Sequence, residues 1–130
     1  MRDQGWWTWH IAASAVILVF LGLHMAIMHL DAVIGIFNPH GGHPIEWANV
    51  VERTRSGFFM VTYIVLLGAA LFHGLYGLRN ILFELNPAPA LKRGLNAVLV
   101  LGGFGLFVLG TWAAWQSFVL ATTQAVAHTL

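Results

Sequence analysis

The sequence predicts an all-α membrane protein whose chain crosses the bilayer three times as helices. Two observations carry that expectation. Three apolar stretches, about Trp7 to Leu30, Gly57 to Leu82 and Leu95 to Ala121, each exceed the ~20 residues that cross a hydrocarbon core as helix. The 130 residues are 58% hydrophobic and 8% charged, where a soluble domain carries about a quarter charged residues. The stretches are apolar all round instead of alternating, which selects helix over strand, since only helices and closed barrels satisfy their own backbone in lipid.

The first stretch opens on Trp6, Trp7 and Trp9, residues that favour the membrane–water boundary. It is too long, and lacks the small-residue cleavage site, to be a removable signal peptide. The run from Asn38 to Pro44, with Pro39, Gly41, Gly42 and Pro44, reads as a turn-rich linker. Ile45 to Arg55 sets Trp47, Val50 and Val51 among polar residues, which predicts a short helix lying at the interface. Asn86-Pro87-Ala88-Pro89 ends the second stretch, because proline cannot continue the hydrogen-bond ladder. In the third, Gly103, Gly110 and Ala114 suit close helix packing, and Trp112 and Trp115 read as packing or interfacial residues. No repeat divides the chain, and its length fits one transmembrane domain.

Charge and cysteine usage exclude several classes. A net charge of +1 gives no basic field for nucleic acid. With no cysteine there is no disulfide framework, thiolate metal site or Fe–S cluster in this chain. With the N-terminus inside, Arg2, Lys92 and Arg93 face the cytoplasm, Arg79 lies near that boundary, and Arg53 and Arg55 lie outside. The bias in favour of that orientation is small.

Seven histidines against five acids point to metal or haem ligation. A polar side chain in hydrocarbon is costly and asks for a partner or a task. On the first span His10, Ser14, Ile17, Leu21, His24, Met28 and Asp31 recur at steps of four and three and share a face. His24 lies ~9 Å below the outer end, and His29 close to that end. On the second span His73 sits deep, with Ala69, Ala70 and Gly77 one turn away, where small residues would admit a flat macrocycle. Arg79, Asn80 and Glu84 follow, a cation there being suited to haem propionates. His10, His40, His43 and His128 are expected to be interfacial or solvated. Neutral imidazole is a strong ligand to haem iron, and a b-type haem needs no cysteine attachment. Residue counts place His24 and His73 ~9 Å apart in height, which favours two haems, each completed by a histidine of a partner chain, over one haem bridging both.

The segment His73-Gly74-Leu75-Tyr76-Gly77-Leu78-Arg79-Asn80-Ile81-Leu82-Phe83-Glu84 resembles the second-helix motif of the small membrane-anchor (cytochrome b) subunits of the succinate dehydrogenase and fumarate reductase family. There a haem-ligating histidine is followed four residues later by glycine and eleven later by an acid, usually aspartate, then tyrosine. His73 and Gly77 match; Glu84 stands for the aspartate; Leu85 departs from the tyrosine, which belongs to the inner quinone site. Leu21-Gly22-Leu23-His24-Met25 resembles the first-helix haem segment of the two-haem members, and Glu46 falls near the place of a glutamate at their outer quinol site. The resemblance covers about Trp9 to Glu84.

It implies the smaller anchor of a two-haem complex. His73 and His24 would be the axial ligands of two b-type haems shared with a second anchor subunit, with His29 the alternative outer ligand. Gly77 and Arg79 would lie in the haem surroundings, and Glu46 and Glu84 at quinone sites. A flavoprotein with FAD and an Fe–S subunit would be the remaining partners, so succinate chemistry would take place outside this chain. The quinone would be menaquinone, and the location a bacterial cytoplasmic membrane with the N-terminus inside. Two alternatives stay open: a haem b subunit of another quinone-linked oxidoreductase, such as a membrane hydrogenase or formate dehydrogenase, and a haem-free structural anchor or transporter subunit.

Overall fold

The computed structural model describes residues 2–30, 35–36 and 41–127, with side chains described for 4–30, 35–36 and 41–123. Asp31, His40 and His128, read above as a face residue and two solvated histidines, lie outside the described residues, as do Asn38 and Pro39 of the linker and the side chain of Arg2.

The described chain is helical: α1 (Arg2–His29), α2 (Trp47–Arg55), α3 (Gly57–Glu84) and α4 (Pro89–Ala127). Helices α1, α3 and α4 are long and apolar enough to cross a membrane, so the expected fold class holds. With a rise of 1.5 Å per residue, the 28 residues of α1 and of α3 span ~42 Å, and the 39 of α4 span ~58 Å, against a hydrocarbon core of ~30 Å. All three therefore project beyond hydrocarbon, and α4 does so most.

Local chemistry sets the breaks. Ser56 ends α2 and starts α3 in a single extended residue (φ −82°, ψ 119°). Its N–H donates back to Arg53 at 3.1 Å while its carbonyl accepts from Met60 at 3.1 Å. At the other end of α3, Asn86 takes a left-handed φ of 48°, which asparagine tolerates, and donates its N–H to Phe83. Pro87 follows, and Pro89 takes the first position of α4, where no backbone N–H is required.

Helix α3 is central. It packs antiparallel against α1 on one side and α4 on the other, while α2 lies against α4 and α3 at the end opposite the α3–α4 turn. The core is thin: among the described residues the buried hydrophobic side chains are Ala13, Ile27, Phe59 and Ala121. Leu18, Val98, Leu101 and Phe104 are 74%, 68%, 70% and 68% exposed, a surface that only lipid or further protein can cover.

Between α3 and α4 the expected small-residue packing takes a specific form. Leu75 fills the notch at Gly103, and Leu67 the notch at Gly110, seven residues on. Any Cβ at either glycine would collide with the leucine's terminal methyl. Replacing Gly110 with leucine is therefore expected to destabilise the α3–α4 contact by about 1–3 kcal/mol, the usual cost of overpacking. A lowered thermal midpoint of the purified protein checks this, and Gly102→Leu, where a Cβ meets nothing, is the control.

Candidate functional site

The deep histidine of α3 meets α1 at Ser14. Ser14 Oγ lies 2.9 Å from His73 Nδ1 and donates its own hydrogen to the His10 carbonyl at 3.0 Å. A hydroxyl has one hydrogen to give. Both contacts are hydrogen bonds together only when Oγ accepts from His73, the arrangement in which Nδ1 carries the imidazole hydrogen. In the neutral ring Nε2 is then the nitrogen with a free lone pair. Nε2 makes no hydrogen bond among the described residues. An orienting bond on one ring nitrogen with the other left bare is how metal-ligating histidines are held.

The His10 ring stacks on that of His73, centroids 4.2 Å apart and planes within 6°, with Tyr76 5.2 Å away. This corrects the solvated reading of His10. The helix begins at Arg2, five residues before the apolar run suggests, so His10 lies about 12 Å inside it. Its Nδ1 is buried and has no hydrogen-bond partner among the described residues. Two imidazoles stacked face to face do not oppose each other across one iron, so His10 is a neighbour of His73 and not its opposite ligand. The space beside Gly77 is occupied: a Cβ there would lie 3.6 Å from His10 Cε1, an ordinary contact. The slot expected there for a macrocycle thus holds the His10 ring.

His24 is apart from this cluster. Since Ser14 is level with His73, the ten residues from Ser14 to His24 put the two histidines ~15 Å apart in height, more than the ~9 Å from residue counting. His24 is exposed and makes no hydrogen bond or ring contact among the described residues. Ser14 and His10 face α3 while His24 and Leu21 face outward, so the face expected to hold all four is split between protein and surroundings. His29, the last residue of α1, is exposed as well. Among the described residues no three His, Cys, Asp or Glu side chains gather as a metal site, so one chain offers an iron single histidines and not a complete ligand set.

Arg79 is held on the α4 side of α3. Its Nε donates to Asn96 at 3.0 Å, a terminal nitrogen to Asn80 at 3.2 Å, and its guanidinium lies 4.3 Å from the Phe83 ring centroid. The structure therefore brings it to α4, and His73 to α1. Glu84 is exposed in the last turn of α3.

Glu46 lies at the opposite end, where the chain enters α2. Gly41 and Gly42 both take left-handed φ, 68° and 69°. The Glu46 carboxylate folds over Gly42, both oxygens within 2.6 Å of where a Cβ would be, and Oε1 accepts the His43 N–H at 3.1 Å. Asn49, fully buried, donates to the carbonyls of Gly41 (2.8 Å) and His43 (3.2 Å), and Arg53 donates to that of Pro44. Arg55 donates to Ala121 of α4 at 3.1 Å and pairs with Glu52 at 3.3 Å, tying this knot to the bundle.

Sequence reasoning missed the contact between Ser14 and His73 and the pairing of His10 with it. The available signal was the spacing of His10 and Ser14 by four on one apolar helix. The knot around Asn49 left no periodic trace at all.

No family model matches the sequence, and no solved structure matches it. The chain is similar to the succinate dehydrogenase hydrophobic membrane anchor subunit of Archaeoglobus fulgidus, at 26% identity over 106 residues, 82% of this chain and 83% of that protein.

Proposed function

We propose that the chain is the smaller cytochrome b anchor subunit of a succinate:quinone oxidoreductase. It would dock the Fe–S and flavoprotein subunits at the membrane, supply haem ligands and help pass electrons to quinone. The observation that carries this reading is the His73 imidazole, deep in a spanning helix, with Nδ1 2.9 Å from Ser14 Oγ and no hydrogen bond at Nε2 among the described residues. The printed name of the similar protein from Archaeoglobus points the same way.

The residues present fit a b-type haem in donor chemistry. His73 offers one imidazole nitrogen, Nε2, while Ser14 holds the other as an orienting partner. Bound there, a haem supplies one-electron transfer between the Fe–S partner and quinone. His24 is the counterpart ligand at the other level, preferred over His29 because it lies five residues, ~7.5 Å, deeper. Their ~15 Å separation in height requires two haems, not one, and each needs a second ligand from the partner anchor. His10 packs the face of the His73 ring and would help fix its plane. Gly77 joins these surroundings by giving His10 room. Arg79 lies six residues, ~9 Å, nearer the surface than His73 and on another face, so its part as a propionate partner is the weaker one. FAD and Fe–S clusters belong to the partner subunits, menaquinone is the proposed acceptor, and the N-terminus lies inside.

Purification from native membranes through a tag on this chain tests the reading. A flavin-bearing subunit and an Fe–S subunit should co-purify, and succinate should reduce b-type haem in the preparation. A preparation without b-type absorption would reduce the Ser14–His73 bond to a pin between α1 and α3, and the haem-free anchor would then be the better account.

Glu46 gives a separate expectation. Glutamine keeps Oε1 as acceptor for the His43 N–H and removes only the charge. In Glu46→Gln, thermal stability should stay within about 0.5 kcal/mol of the parent. Quinone turnover should fall with haem content unchanged if the carboxylate serves a quinone. Unchanged turnover would leave Glu46 as a cap for the Gly42 turn alone.

A further inference from the structure

The α3–α4 turn gathers three cations, Arg79, Lys92 and Arg93, against one described acid, Glu84. Arg79, Lys92 and Arg93 line a shallow cavity of about 330 Å³ together with Phe83 and Asn96. Arg79 and Asn96 also line a second cavity, of about 700 Å³, which runs on between α3 and α4 past Leu99, Val100, Gly103 and Phe107. The two adjoin at Arg79 and Asn96, the smaller one lined by the cations and the larger one walled mainly by carbon. The larger groove falls within the ~300–1,000 Å³ of small-molecule sites.

We propose that this groove binds one anionic phospholipid, its phosphate among Arg79, Lys92 and Arg93 and an acyl chain laid between α3 and α4. The charge balance selects the occupant. Arg79 and Lys92 bond the neutral amides of Asn96, Asn80 and Asn86, which orient the cations without neutralising them. Arg93 is exposed and makes no hydrogen bond among the described residues. Glu84, the acid nearest in sequence, lines neither cavity, and the ion pair Arg55–Glu52 belongs to the other end of the bundle. The start of α4 adds its own positive potential at this mouth. A neutral ring such as a quinone would leave that charge uncompensated. A lipid phosphate compensates it at the depth where headgroups lie, while the apolar walls accept a chain that is already in the membrane. Val100, 59% exposed, marks the open side through which the chain would enter.

The complex, purified in neutral detergent, is titrated with phosphatidylglycerol, phosphatidylcholine and inorganic phosphate. Thermal midpoint and co-purified lipid, counted by mass spectrometry, are recorded. Phosphatidylglycerol should raise the midpoint where the other two do not. The double variant Lys92→Gln/Arg93→Gln removes two of the three cations and should weaken that response roughly twenty-five-fold, at a factor of about five per cation. Val100→Trp, which fills the groove and leaves the cations, should also abolish it. An equal response to phosphatidylcholine, an equal response to inorganic phosphate, or displacement of the lipid by added quinone would each overturn the proposal. So would disruption of the complex by Val100→Trp without any lipid response, which would assign the groove to a partner helix. None of these readouts involves haem, so the lipid site and the anchor reading fail separately.

Discussion

Replacing His73 with alanine is expected to remove one b-type haem from the purified complex and leave the other. The substitution deletes the one nitrogen that α3 offers, and the structure provides no substitute at that level. His10 lies alongside His73 with its ring parallel, not opposed, and its Nδ1 is enclosed. His24 is ~15 Å away along the bundle and cannot reach. Reduced-minus-oxidised spectra with a redox titration should therefore lose one of two components entirely, whereas His24→Ala should remove the other. Ser14→Ala supplies the graded companion. It leaves Nε2 in place but releases the hydrogen on Nδ1 and frees the ring to rotate. Loss of such an orienting partner costs about 10–100-fold in metal affinity or activity. Haem should then be retained weakly, with a shifted potential, and Ser14→Thr, which keeps a hydroxyl, should restore it. Unchanged spectra in His73→Ala would end the ligand assignment, and full haem with unshifted potential in Ser14→Ala would end the orienting role of the hydroxyl.

The three spans were legible because the criterion is crude: more than twenty predominantly apolar residues, broken by Pro87 and Pro89 or by the glycine-rich approach to Trp47. The notches at Gly103 and Gly110 were legible as small residues seven apart, though which leucines enter them depends on how far α4 slides along α3. The Ser14–His73 contact joins residues 59 apart in sequence. It exists only for one stagger and one rotation of α1 against α3, neither of which composition specifies. The stacking of His10 on His73 was hidden likewise: hydropathy puts His10 three residues into the apolar run that begins at Trp7 and says nothing of which helix its ring meets. The orientation of Arg79 toward α4 was equally hidden, since a charge near a helix end can turn to either neighbour.

Asn49→Ala should be the most damaging substitution away from the histidines, and its effect should be confined to the other end of the molecule. Asn49 is fully buried and holds the carbonyls of Gly41 and His43 through one amide. Alanine fills less space and donates nothing, so the Gly41 carbonyl loses its amide partner, while that of His43 keeps the Glu46 N–H at 3.0 Å. That lost partner costs about 1–3 kcal/mol, and the lost packing of a fully buried side chain adds to it. Glu52→Ala makes the contrast one helical turn away. It removes a half-exposed pair with Arg55, 34% and 44% accessible, and such pairs contribute about 0–1 kcal/mol. Limited proteolysis of the purified complex should therefore cut Asn49→Ala near Gly41 to Glu46 well before the parent, while Glu52→Ala resists like the parent. The haem component assigned to His73 should survive, because Ser14 and His73 lie at the level of the helix centres, with α3 continuous between them and this turn. If Glu46 serves a quinone, turnover should fall in parallel with proteolytic sensitivity, since the same turn positions its carboxylate over Gly42. Loss of the His73 component in Asn49→Ala would show instead that the two ends of the bundle unfold as one unit.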